Sequence, residues 1–250
     1  MSRDNYKAGS DNEIMILTAI NKHQFKDLDE KWKAHIKKMF KNIKDEDTIY
    51  AYFYPDKHAK PDIVVRVGHK KVMLSIKSGH APVVHQEETK TFLYFLHENG
   101  VPDRIISILY FYIKGKTKNV SNNGKPFTRE ELIERYGNYF KEANEYFITH
   151  KEISRQIIYR SIFQGIRNSD SIDYLYYGNS ARGFLLSMND VMKEILSDKN
   201  MESNVPHFYA LTIQAMTRNE NSSKHIYMKI LWPVLCVKFY DEEFNQKYLN

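Results

Sequence analysis

Two β-rich stretches only three residues apart constrain this chain more than any other feature. Asp62 to Val67 and Lys71 to Ile76 are dense in Val, Ile and Leu, and Gly68-His69-Lys70 between them supplies a turn. Such a pair forms a β-hairpin. Thr48 to Tyr54 has the same character and is expected as a third strand, so the front of the chain must build a sheet.

Helices are expected around that sheet. From about Ser10 to Lys41, Ile14, Leu17, Phe25, Leu28, Trp32, Ile36 and Phe40 recur at steps compatible with a helical stripe, giving one long helix or two consecutive ones. Ser10-x-x-Glu13, Thr128-x-x-Glu131 and Thr149-x-x-Glu152 have the spacing of capping boxes. His85 to Glu98 is expected as a helix ended by Gly100-Val101-Pro102, and Arg104 to Ile113 as a buried fourth strand. Lys114 to Phe127 has the composition of a loop, and helices are expected near 129–147 and 150–167. Beyond them come a short strand near Ile172 to Tyr177 and a helix near Asn189 to Ser197. Two strands, His207 to Thr217 and His225 to Tyr240, would then be joined by a turn at Asn219 to Ser223.

The chemistry gathers at one end of the hairpin. Pro61-Asp62 opens its first strand, Ser75-Ile76-Lys77 closes its second, and His85-Gln86-Glu87-Glu88 follows shortly after. Side chains alternate along a strand, so Ser75 and Lys77 share a face while Ile76 turns to the core and offers only its backbone carbonyl. Asp62, that carbonyl and one further acid are hard oxygen ligands suited to Mg2+. Lys77 beside them would orient a water or neutralise developing charge. Singly, Asp62 is explained as a turn residue after Pro61 and Lys77 as a solvated strand end; together they describe a phosphodiester-hydrolysing site.

This arrangement resembles the PD-(D/E)xK nuclease superfamily, in which an Asp begins one strand and an acid-x-Lys triplet ends the next. The resemblance covers roughly residues 10–113. It implies a restriction-endonuclease-like α/β fold, a central mixed sheet flanked by helices, with a nuclease core over 1–127; the helices and strand pair read from the residues over 128–250 are expected to complete the same domain, with DNA recognition as an open role. It further implies Mg2+ as cofactor, duplex DNA as partner, and a homodimer as one open assembly. Ser75 stands where an acid is usual, a form shared with a subset of type II restriction endonucleases that draw a glutamate from the following helix. Glu87 is the first candidate, with Glu88 the alternative. Glu13 is a third, because these nucleases often carry an acid on the first helix, although the Ser10 capping box would also account for it. A phage or repair nuclease, or a DNA-binding module without catalysis, are the competing readings.

Other sites weigh less. His58, His80 and His85 fit no metal-ligand spacing, and the chain lacks a glycine-rich phosphate loop and a nucleophile elbow. His85 and Gln86, at the expected helix start, would suit a phosphate. Arg182, Arg218 and Asn219 are candidates for contacts to DNA, and Lys114, Lys116, Lys118 and Lys125 for contacts to its backbone. A net charge of +6 favours an anionic partner, while the balance of 37 basic against 31 acidic residues also fits a mixed surface. One cysteine, Cys236, excludes an internal disulfide and a cysteine-cluster metal site. The start lacks an apolar leader, so a cytoplasmic location without membrane association is expected.

Overall fold

The computed structural model describes residues 3–56, 58–78, 82–115, 121–122, 125–166, 171–199, 203–215 and 226–249. The architecture is mixed α/β, and the chain forms two compact units that interleave along the sequence. The first takes residues 1–82, 162–191 and 234–250; the second takes 83–161 and 192–233. Neither unit therefore coincides with a 1–127 segment. Among the described residues no helix is long and apolar enough to cross a membrane.

The first unit is built on a five-stranded sheet of order β1-β2-β3-β7-β8. Its members are β1 (Ile49–Phe53), β2 (Ile63–Val67), β3 (Lys70–Lys77), β7 (Tyr174–Gly178) and β8 (Gly183–Ser187). The expected hairpin is present, with β2 and β3 antiparallel in the register Ile63↔Leu74 to Val67↔Lys70. The fourth strand comes from β7, which pairs parallel to β3 with Lys77 opposite Tyr177. At its end Gly178 adopts φ +143, and a Cβ there would run into the Arg182 carbonyl, so this tight β7–β8 turn requires glycine.

Ile49, Ala51, Ile63, Val65, Val72, Leu74 and Ile76 point to one side of this sheet and form a core with two helices. These are α1 (Arg3–Ile20), which contributes Ile16 and Ile20, and α2 (Glu30–Met39), which contributes Trp32 and Ile36. The stripe over residues 10–41 is thus two helices. Asp29 ends the gap between them by accepting the Trp32 N–H at 2.8 Å. The Ser10 capping box is not formed, because α1 starts upstream at Arg3 and leaves Ser10 and Glu13 in its interior.

The second unit carries an antiparallel sheet of order β4-β11-β10-β9. Its strands are β4 (Val83–Glu88), β9 (His207–Phe208), β10 (Leu211–Ala215) and β11 (Tyr227–Leu231). Its helices include α3 (Thr89–Glu98), α4 (Asp103–Lys114), α5 (Arg129–Thr149) and α6 (Lys151–Ile158). α6 runs on into a π-turn over Tyr159–Gln164, and α7 (Met188–Ser197) continues the chain from the first unit into the second.

Four expectations are corrected. The segment from His85 begins as strand β4, and only Thr89–Glu98 is helical. Arg104 to Ile113 is helix α4: Ile105, Ile108, Leu109, Tyr112 and Ile113 are buried at i, i+3, i+4, i+7 and i+8, and this helical stripe overrides the β-branched composition. His225 to Tyr240 is not one strand, since β11 ends at Leu231 and Pro233 opens α8 (Pro233–Tyr240), with α9 (Glu242–Leu249) behind it. The Thr149 capping box is absent because that hydroxyl donates backward to the Glu145 and Tyr146 carbonyls. The Thr128–Glu131 box is formed in full at the start of α5. Within the Lys114 to Phe127 segment, Ser121–Asn122 and Lys125–Pro126 form the short strands β5 and β6. His80, Lys116, Lys118 and the Asn219 to Ser223 turn lie outside the described residues.

Candidate active site

Asp62 stands one residue before β2 and extends both ladders, its N–H donating to the Leu74 carbonyl at 2.8 Å and its carbonyl accepting from Tyr54 at 3.0 Å. This pins its side chain against the end of β3. The Ile76 N–H, beyond the last β2–β3 rung, donates to Asp62 Oδ2 at 2.6 Å, and Ser75 Oγ donates to the same oxygen at 3.0 Å. Two donors from one strand thus fix the carboxylate, leaving Oδ1 with no hydrogen-bond partner among the described residues.

Lys77 completes the group. Its Nζ lies 3.2 Å from Ser75 Oγ, 3.1 Å from the Ile76 carbonyl and 3.9 Å from Asp62 Oδ2. Asp62 and Lys77 side chains remain 26% and 27% exposed, so both reach solvent from the sheet end. Ser75 is 1% exposed; it donates to the carboxylate and accepts from the ammonium, so its hydroxyl links the two charges. Ile76 packs into the core as alternation requires.

Glu13 joins them from α1. Asn12, the preceding residue, donates from Nδ2 to the Gly178 carbonyl at 2.9 Å and ties the helix to the end of β7 beside β3. The Glu13 carboxyl pKa is raised from 4.5 to about 7: burial contributes most, the Asp62 charge pushes the same way, and Lys77 opposes both. With the capping box unformed, Glu13 has no local role to explain it. Glu13, Asp62 and the Ile76 carbonyl are the hard oxygen donors available to a divalent cation. Among the described residues no group of three His, Cys, Asp or Glu side chains has the geometry to hold a metal, so a cation here would rest on two carboxylates and a carbonyl. Mg2+ is commonly held by one or two carboxylates with waters completing its shell.

Glu87 and Glu88 belong to the second unit, on strand β4. Glu87 is fully buried there, its Oε1 3.0 Å from His85 Nε2 and its Oε2 accepting from Arg160 at 2.7 Å. Burial raises its pKa, but the hydrogen bonds from His85 and Arg160 outweigh burial and hold it below the ordinary carboxylate range. This is a neutralised internal triad, and Glu87 is not the helix-borne acid expected. Arg160 carries no sequence signal: it sits in the π-turn that continues α6, and its partner Glu87 is 73 residues earlier in the chain. Glu88 is the N-cap residue of α3 without a capping side chain, and Gln86 pairs with Lys229 across β4 and β11. His85 is buried on β4, so neither it nor Gln86 occupies a helix start.

Arg182 lies in the β7–β8 turn, 2.8 Å from Glu242 and over the rings of Phe239 and Tyr240. Those contacts explain it within its own unit. Arg218 and Asn219 lie outside the described residues. No protein-family model matches this chain, and no curated protein matches it.

Proposed function

We propose that this chain is a Mg2+-dependent endonuclease that hydrolyses phosphodiester bonds of double-stranded DNA, in the manner of a type II restriction endonuclease. The observation that carries the reading is the meeting of Asp62, Ser75 and Lys77 at one sheet end, hydrogen-bonded to one another, with α1 bringing the Glu13 carboxyl close enough to feel the charges of Asp62 and Lys77. A divalent cation held by Glu13, Asp62 and the Ile76 carbonyl would supply an activated water and polarise the scissile phosphate. The chain's own part is positioning and charge. Ser75 and the Ile76 N–H hold Asp62 in one orientation, and Lys77, free to leave Ser75, stabilises the charge that develops on the phosphate. The net charge of +6 supports an anionic substrate.

The test is incubation of the full chain with mixed duplex DNA, with Mg2+ or with chelator. Discrete fragments in Mg2+ alone support the reading, and Asp62→Ala and Lys77→Ala should each lower the cleavage rate at least 100-fold, as expected for loss of a group acting on the transition state. Cleavage by either variant at the parental rate removes that residue from the site. Retardation of DNA without cutting would instead favour a binding module, the reading that the absent acid at Ser75 keeps open.

A further inference from the structure

The register of the first unit's sheet aligns a second feature with the candidate site. Asp62 lies beside Tyr54 on one side and, by the Ile63↔Leu74 pairing, beside Ser75 on the other. One row further from the site stand Tyr52, Val64 and Met73, and the next row holds Tyr50, Arg66 and Lys71. Strand alternation puts all of these on the face that carries Ser75 and Lys77, opposite Ile49, Ala51, Val65, Val72 and Leu74; Val64 and Ser75 are buried on this face, and Tyr50, Tyr52 and Lys71 are its exposed members. Tyr50 and Tyr52 are 40% and 37% exposed on β1, an edge strand. The Arg66 guanidinium lies 5.0 Å from the Tyr50 ring centroid, making the pair one cationic stacking surface.

Exposed tyrosines at alternate positions with interleaved cations suit an unpaired nucleic-acid strand, whose bases stack on rings while its phosphates meet Arg and Lys. They suit a closed duplex poorly, because its base faces are already stacked. Tyr52 is two residues along and two strands across from Ser75. At about 3.3 Å per residue and about 4.8 Å per strand this is roughly 12 Å, the length of about three to four stacked nucleotides.

We infer that the Tyr50–Tyr52–Arg66–Lys71 face is a stacking platform for an unpaired DNA segment that leads to Asp62 and Lys77. The duplex DNA that the site cuts would then be held through an unpaired segment beside the cleavage point, so that a tailed duplex binds more tightly than a blunt one. This inference rests on the nuclease reading for what happens to the bound strand, but the binding can be measured without it.

The experiment is fluorescence anisotropy in chelator, where no cleavage intervenes, with a single-stranded oligonucleotide, a blunt duplex, and the same duplex with a single-stranded tail. The proteins are the parent, Tyr50→Ala/Tyr52→Ala, Tyr50→Phe/Tyr52→Phe and Arg66→Gln. Each lost stacking contact lowers affinity roughly 5- to 150-fold, so the double alanine variant should lose at least about 25-fold on single-stranded and tailed DNA. Blunt-duplex affinity should be unchanged, and the phenylalanine variant, which keeps the rings, should bind as the parent does. Equal affinity of the parent and the alanine variant for tailed DNA overturns the proposal, as does an equal loss on blunt duplex. So does a shift from dimer to monomer in sedimentation with DNA binding unaltered, which would assign the edge to a second copy of this chain. Parental cleavage in Mg2+ separates the two readings. Cleavage with an unaffected alanine variant sinks the platform alone, whereas tyrosine-dependent binding without cleavage upholds the platform and sinks the nuclease.

Discussion

Replacing Glu13 by Gln should stabilise the metal-free protein at neutral pH. A carboxyl whose pKa moves from 4.5 to about 7 on folding is more easily protonated in the native state, so its stability contribution is full below pH 4.5 and is lost as pH rises from 4.5 through 7. Without screening that loss is roughly 3 kcal/mol above pH 7; Glu13 is half-buried, and solvent reduces it to about 1–2 kcal/mol. Gln keeps the shape and removes the charge. In chelator, Glu13→Gln should therefore match the parent at pH 4.5 and exceed it by about 1–2 kcal/mol at pH 8. The assay is urea unfolding followed by fluorescence, with Trp232→Phe as background so that Trp32, in the same unit as Glu13, is the sole tryptophan. Adding Ca2+ should stabilise the parent more than the variant, reversing part of the gap. A stability difference that does not change between pH 4.5 and pH 8 would refute the reasoning, because Glu13 would then lack the unfavourable neighbourhood that a cation site creates.

Glu87→Gln should behave in the opposite way, destabilising the second unit by about 3 kcal/mol because Arg160 is left as a buried cation with half its partner gone; Trp232 fluorescence in a Trp32→Phe background reads this, and an unchanged urea midpoint would show that the triad is not structural. His35 is fully buried between Trp32 and Tyr176, with neither ring nitrogen in hydrogen-bond geometry although the Gly183 backbone lies close, and burial, helped by Lys31 and Lys38, depresses its pKa to about 3. The unfolded chain therefore takes up the proton first, so stability is full above about pH 6.5 and falls by about 1.4 kcal/mol per pH unit below it; His35→Phe should flatten that acid limb, and an equally steep limb in the variant would exclude His35 as its source.

The hairpin was legible because β2 and β3 are contiguous, and their pairing needs only alternation and a turn. The Asp62, Ser75 and Lys77 constellation follows from that pairing alone. What was not legible depended on distant partners. β7 completes the sheet from 97 residues beyond Lys77, and no local pattern says that Tyr174 to Gly178 lies parallel to β3. Val83 to Glu88 became a strand through its β11 partner, which overrode the helix-favouring Gln and Glu residues. For α4 the information was present in the i, i+3, i+4 spacing, but the paired isoleucines at 105 and 106 suggest a strand. The Tyr50-x-Tyr52-x-Tyr54 alternation was also visible, and only the register with Asp62 and Ser75 gives it meaning.

Ser75 bears on how such a site is kept stable before any cation binds. Its side chain is buried and 3.0 Å from Asp62 Oδ2, so an Asp or Glu in its place would put a second charge against the first in a desolvated position, and one of the two would have to hold a proton. The hydroxyl avoids this by donating to Asp62 and accepting from Lys77, leaving one carboxylate and one ammonium in near balance. Under the proposed function the additional acid would be Glu13, which is half-buried and set on a helix that Asn12 anchors to the sheet. With its pKa at about 7, Glu13 can hold its proton in the resting protein and release it to a cation, since metal ligation requires the deprotonated form. An acid on the half-exposed helix in place of one on the buried strand would thus exchange a permanent repulsion for a titratable one. Under the proposed function, cation affinity would rise with pH across neutrality, and the serine would be part of what makes the site workable rather than a mark of its loss.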